Sequence, residues 1–229
     1  MIRLRPRCFR RVLGTISLLV FASALAGARD FVDLRSNPPL HGDANAGKEK
    51  AAVCSACHGA AGISPAAAFP NLAGQHAEYL YWQLVEFQHE ARPESPMTSQ
   101  VKDLDDATLR NLSAWFASLP PAPFNAGANP SGERGAQLFR EGDPATGTPP
   151  CQGCHGADAG GFPLAADDAG YRTYPILRGQ HADYVVQRLK DFRDGKHVSS
   201  SSDRIMTPVA KTLDDEAIRA VALFIEAGR

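Results

Sequence analysis

The sequence predicts an all-α chain built as two equivalent small domains in tandem. Three observations predict it. Four signposts recur in the same order in both halves, a proline-rich stretch separates the halves, and the apolar residues keep helical spacing with no convincing strand alternation.

The repeat comes first. Cys54-Ser-Ala-Cys57-His58-Gly59 returns as Cys151-Gln-Gly-Cys154-His155-Gly156. Pro70-Asn-Leu72-Ala-Gly74-Gln75-His76-Ala77 returns as Pro175-Ile-Leu177-Arg-Gly179-Gln180-His181-Ala182. Met97-Thr98 matches Met206-Thr207, and Leu104-Asp105-Asp106 matches Leu213-Asp214-Asp215. The offset grows from 97 to 105 to 109 residues, so the second half carries small loop insertions; the stretch from Gly142 to Pro150, before Cys151, also reads as an insertion, and Gly195 to Ile205, before Met206, is long and serine-rich. A chain of 229 residues has room for two units of about 100 residues, each with its own core. The stretch from Leu119 to Pro130 holds four prolines and cannot continue a helix, so it reads as a stiff linker at about 119–130. The expected division is a leader at 1–28, a first domain at 29–122 and a second at 123–229.

Each half reads as three or four helices. Ala46 to Val53 and Gly135 to Phe139 open the two halves. Tyr79, Leu80, Gln83, Leu84 and Phe87 share one face at a spacing of 3.6, and Tyr184, Val185, Arg188, Leu189 and Phe192 repeat it with a polar residue at the same point. Asp105 and Asp214 are N-cap candidates for a last helix, whose apolar side is Leu109, Leu112, Trp115 and Phe116, then Ile218, Val221, Phe224 and Ile225.

The first residues follow a different pattern. Arg3, Arg5, Arg7, Arg10 and Arg11 precede an uncharged run from Val12 to Ala26 that ends in small residues. That is the pattern of a cleaved secretory leader, the run being short of the roughly 20 residues that span a bilayer. The net charge is −1 for the whole chain and −6 without the leader. The acidity is distributed over both halves, which argues against nucleic-acid binding and for solubility.

Cys8 lies in the leader. The other four cysteines form two C-x-x-C-H motifs, the attachment pattern of c-type haem. Thiols three residues apart lie on one helical turn and can each form a thioether with a vinyl group. The next residue, His58 or His155, then offers an imidazole nitrogen to the iron. A zinc site or a redox dithiol would not require a histidine after each pair. The pattern therefore implies two covalently bound haem c groups. Such an iron takes a second axial ligand, commonly Met. Outside Met1 there are two methionines, Met97 and Met206, one per half in equivalent places. His76 and His181 also repeat and are read as lining a haem edge or an interface, whereas His41, His89 and His197 have no counterpart and read as surface residues. Pro70 and Pro175 are candidates to offer a carbonyl to the other ring nitrogen of each ligating histidine.

This order of C-x-x-C-H, Pro-x-Leu-x-Gly-Gln-x-x-x-Tyr, then Met-Thr before Leu-Asp-Asp resembles the class I cytochrome c fold. Its duplication in one exported chain is similar to the dihaem cytochrome c4 family, over about residues 43 to 229. The resemblance implies a periplasmic electron carrier with His58 and Met97 on one iron and His155 and Met206 on the other. It implies redox partner proteins, electrons passing from a respiratory complex to a terminal oxidase or a reductase, and docking of a soluble chain at a membrane complex. The alternatives are a cytochrome subunit of a dehydrogenase or oxidase complex, and a dihaem enzyme acting on peroxide or thiosulfate.

Overall fold

The computed structural model describes residues 32–92, 95–123, 132–163, 165, 168 and 170–226. The expected leader and most of the expected linker lie outside the described residues. Within them the chain is helical, with no strand and only two isolated bridges, Val32 with Ser200 and Asp143 with Thr148.

Among the described residues each half contains five α-helices. In the first they are α1 (Ala44–Lys50), α2 (Ser55–His58), α3 (Ala77–Gln88), α4 (Pro96–Val101) and α5 (Asp106–Ser118). In the second they are α6 (Gly132–Glu141), α7 (Gln152–His155), α8 (Ala182–Arg193), α9 (Ser201–Lys211) and α10 (Asp215–Glu226). The count exceeds the expected three or four because α2 and α7 are single turns. They are too short for an apolar period to register.

The first and last helices of each half pack on one another, α1 on α5 and α6 on α10, and the middle helices α3 and α8 pack on the last ones. The apolar faces read from the sequence line these contacts. Leu109, Leu112 and Phe116 are buried, as are Ile218, Val221, Phe224 and Ile225, while Trp115 packs at the edge of its cluster. Asp105 caps α5 by accepting from Thr108 N at 2.8 Å, and Asp214 accepts from Ala217 N at 2.7 Å.

The segments marked as insertions have definite structure. Residues 143–148 form a tight turn closed by paired bonds between Asp143 and Thr148. The serine-rich stretch starts α9 through a capping box. Ser200 Oγ accepts from Asp203 N at 3.3 Å, and Asp203 Oδ2 accepts from Ser200 N at 3.0 Å.

One segment departs from the expected division. Residues 32–34 belong in space to the second half: Val32 N donates to Ser199 O, Ser201 N donates to Val32 O, and Leu34 is buried there. A short extended segment with free backbone groups can pair with any exposed loop backbone, and its sequence carries no mark of which.

Candidate haem sites

Each C-x-x-C-H motif forms one tight turn. His58 N donates to Cys54 O at 3.0 Å and His155 N to Cys151 O at 3.0 Å, so both cysteines and the histidine of each motif share one short helical segment. The chain must then reverse. Gly59 (φ +77°) and Gly156 (φ +75°) do this in the left-handed region, where a Cβ would collide with the carbonyls of Ile63 and Gly161. None of these four cysteines is in a disulfide. Burial pushes the Cys54 thiol up, and the Cys151 thiol up to about 11. A redox dithiol needs the opposite, a thiol lowered toward neutrality.

The two histidines are buried, and burial lowers their pKa, which keeps the rings neutral. Nδ1 of His58 lies 2.9 Å from Pro70 O, and Nδ1 of His155 lies 2.9 Å from Pro175 O. A carbonyl can only accept, so Nδ1 carries the proton in each ring. Nε2 is left with its lone pair, as an iron ligand requires. The Pro70 loop is itself held: Leu72 N and Ala73 N both bond Gly62 O, and Gly74 N reaches Phe116 O on α5. Leu177, Arg178 and Gly179 repeat those bonds to Ala159 and to Ile225 on α10.

Met97 is the second residue of α4, half-buried against Tyr81, Phe87, Val101 and Leu109. Met206 lies midway along α9 and is half-buried. The donor set in each half, two thiols and a neutral histidine on one turn with a thioether on a later helix, fits a covalent haem.

A scan against protein-family models matches the cytochrome c family at residues 44–120 and again at 132–228. The chain is 40% identical to a cytochrome c4 of Pseudomonas aeruginosa over 185 residues, 81% of this chain and 88% of that protein. The chain belongs to the cytochrome c4 family. Its fold matches the crystal structure of reduced recombinant cytochrome c4 from Pseudomonas stutzeri with a TM-score of 0.71 at 36% identity, over 82% of this chain and 100% of that one. It is also 35% identical to a thiosulfate dehydrogenase electron acceptor of Thiomonas intermedia, over 78% of this chain and 79% of that protein. A cytochrome c4 carries two covalently bound haem c groups and transfers electrons rather than transforming a substrate.

The repeated histidines lie at the surface between the two halves. His76 and His181 open α3 and α8 and both face the other half: His181 Nε2 donates to Ser64 O at 3.1 Å, and His76 Nε2 is a buried atom beside Gly161. Burial lowers the pKa of His76.

A buried charged cluster also spans the halves. Arg92 Nη1 donates to Gln83 at 2.8 Å in the first half. At the matching positions of the second, the arginine is on the helix, and Arg188 Nη1 donates to His197 Nε2 at 2.6 Å. The expectation of a surface His197 is corrected here: it is 0% exposed, and burial together with Arg188 and Arg92 lowers its pKa to about 2. A neutral ring is what an arginine donor needs. Glu86, His197 and Asp203 bring potential metal ligands within 4.8 Å of one another, but the nearby guanidinium groups of Arg92 and Arg188 make the spot unsuited to a cation. Among the described residues the Nε of Arg92 is buried without an acceptor.

Burial, reinforced by Asp203, raises Glu86 to about 7 against the pull of Arg92, Arg188 and Ser200. A carboxyl raised in the folded state contributes stability that is present below its unfolded value of 4.5 and lost as the pH rises through 7. The holoprotein should therefore lose stability between about pH 4.5 and 7, by up to about 3 kcal/mol from this group at about 1.36 kcal/mol per pH unit. Denaturant titrations across that range should give a flatter profile for Glu86→Gln. An unchanged slope would rule out Glu86 as the titrating group.

Proposed function

We propose that this chain is a periplasmic electron carrier in which His58 and Met97 ligate one iron and His155 and Met206 the other. It takes electrons from a respiratory complex and delivers them to a terminal oxidase or another reductase. The supporting observation is the matched donor set in the two halves, each with a neutral histidine held by a proline carbonyl, Pro70 or Pro175, and one half-buried methionine. Bound haem supplies a one-electron iron couple. The chain's part would be to tether it through Cys54, Cys57, Cys151 and Cys154, to offer His58 and Met97 to one iron and His155 and Met206 to the other, and to hold the two sites in register. A methionine on the sixth position leaves no place for a substrate, which argues against the peroxidase and thiosulfate-oxidising readings. The basic and apolar leader supports export to the periplasm. Among the described residues no helix is long and apolar enough to cross a membrane.

A second reading is supported by the likeness to the thiosulfate dehydrogenase electron acceptor: the chain receives electrons as the partner of one dehydrogenase. Optical spectra of the purified holoprotein, with a haemochrome assay, test the ligation. Two haems per chain and the near-infrared sulfur-to-iron band at the strength of two Met-ligated irons are expected. A high-spin signal would overturn it. A carrier purifies alone and exchanges electrons in a salt-dependent way, whereas a dedicated acceptor copurifies with its dehydrogenase.

A further inference from the structure

Each half reaches the histidine of the other through a single peptide group. The carbonyl of Pro70 accepts from His58 Nδ1. The N–H of that same peptide group belongs to Asn71, and it donates to Oε1 of Gln180, in the second half, at 2.8 Å. Gln180 Nε2 returns a bond to Asn71 O at 3.0 Å, so the side chain is clamped on the backbone at both ends. The reverse path exists as well. Pro175 O accepts from His155 Nδ1, Ile176 N donates to Oε1 of Gln75 at 2.9 Å, and Gln75 Nε2 donates to Ile176 O at 2.7 Å. Both glutamines are buried, and each Oε1 also takes the backbone N–H of the following histidine, His76 or His181.

A peptide group transmits polarisation. An acceptor on its N–H makes its C=O more negative, so it accepts more strongly from the next donor. A stronger acceptor on Nδ1–H makes the imidazole a more electron-rich ligand. An electron-rich ligand favours the ferric state and lowers the reduction potential, so second-shell hydrogen bonding tunes the metal from outside its ligand sphere. We infer that Gln180 tunes the iron held by His58, and Gln75 the iron held by His155, each across the boundary between the halves. The glutamines are positioning residues, acting through a backbone peptide and a histidine.

The inference rests on the proposed histidine ligation, so the wild-type spectrum is read first. The test is a redox titration of the holoprotein, with the two haems told apart by their paramagnetic NMR signals, for Gln180→Leu, Gln75→Leu and the corresponding glutamate variants. Gln180→Leu should raise the potential of the first-half haem relative to the second. The equilibrium placing an electron on one haem or the other should shift by about threefold, roughly 28 mV at 59 mV per tenfold. Gln75→Leu should shift it the opposite way. The Nδ1–H signal of His58 should move in Gln180→Leu, and that of His155 in Gln75→Leu. A glutamate keeps an acceptor for the peptide N–H, so Gln180→Glu should hold the wild-type value or fall below it. A loosened interface would instead shift both haems alike, or shift each variant's own half, and would treat Leu and Glu the same. Any of those results on an intact low-spin spectrum overturns the relay alone. A wild-type spectrum lacking histidine and methionine ligation overturns the ligand assignment, and the relay with it.

Discussion

Met97→Leu should erase half of the near-infrared sulfur-to-iron band and lower the potential of the first-half haem, leaving the second-half haem close to its wild-type value. Met206→Leu should do the converse. Leucine keeps the volume of methionine, so packing against Tyr81, Phe87, Val101 and Leu109 survives while the thioether sulfur is lost. Thioether ligation raises the potential of a histidine-ligated haem. Its loss should shift the one-electron equilibrium of that site by at least tenfold, about 59 mV. The vacated position should also admit cyanide or carbon monoxide, seen as a new optical band in one haem out of two. An unchanged band in either variant would remove that methionine from the iron. The site depends on different scaffolding in the two halves. Met97 sits just inside the six-residue α4, capped by Ser95, whereas Met206 rides on the eleven-residue α9 with its Ser200 and Asp203 capping box.

Gly47→Ala is expected to have a large effect on stability. Gly47 is the buried residue of α1, at its crossing with α5. A Cβ there would run into the carbonyl of Asn111 and come within 2.8 Å of the Trp115 Cβ. Neither can give way easily, because one is helix backbone and the other a side-chain stem. The helix axes must separate, which disturbs Ala51 and Leu112 in the adjoining cluster. Overpacking of this kind costs about 1–3 kcal/mol, here toward the upper end. For a domain of about 100 residues each kcal/mol lowers the melting temperature by roughly 4–8 °C. Thermal unfolding of the holoprotein should show the loss in the first half, while the second unfolds near its wild-type temperature. A Gly47→Ala variant as stable as wild type would mean that α1 and α5 can move apart at no cost.

Much of this protein is local in character, and that part is legible from the chain. The two C-x-x-C-H turns, their following glycines and the helix faces of α3, α5, α8 and α10 are set by spacings of a few residues. The duplication made each signal count twice, and it raised Met97 and Met206 from ordinary core residues to candidate ligands. Even the prolines that bond His58 and His155 could be singled out, because each stands ahead of the same Leu-x-Gly-Gln turn.

What only the tertiary structure decided lies between the halves. Nothing in the spacing of Gln75 or Gln180 says that each bonds the other half's backbone, over separations of 101 and 109 residues. An isolated His197 reads as a surface residue, because burying a titratable group is costly unless partners are supplied. Here Gln83 partners Arg92 and His197 partners Arg188, each pair within one half, and the exchange of Gln83 and Arg92 for Arg188 and His197 hides the equivalence of the two pairs. The segment at Val32 is the same case, paired to the backbone of Ser199, 167 residues further on. Sequence by itself determined what each half binds, because attachment chemistry is written in adjacent side chains. Docking determined how the halves address one another, because a hydrogen bond between distant backbone groups depends on position in space and leaves no periodic trace along the chain.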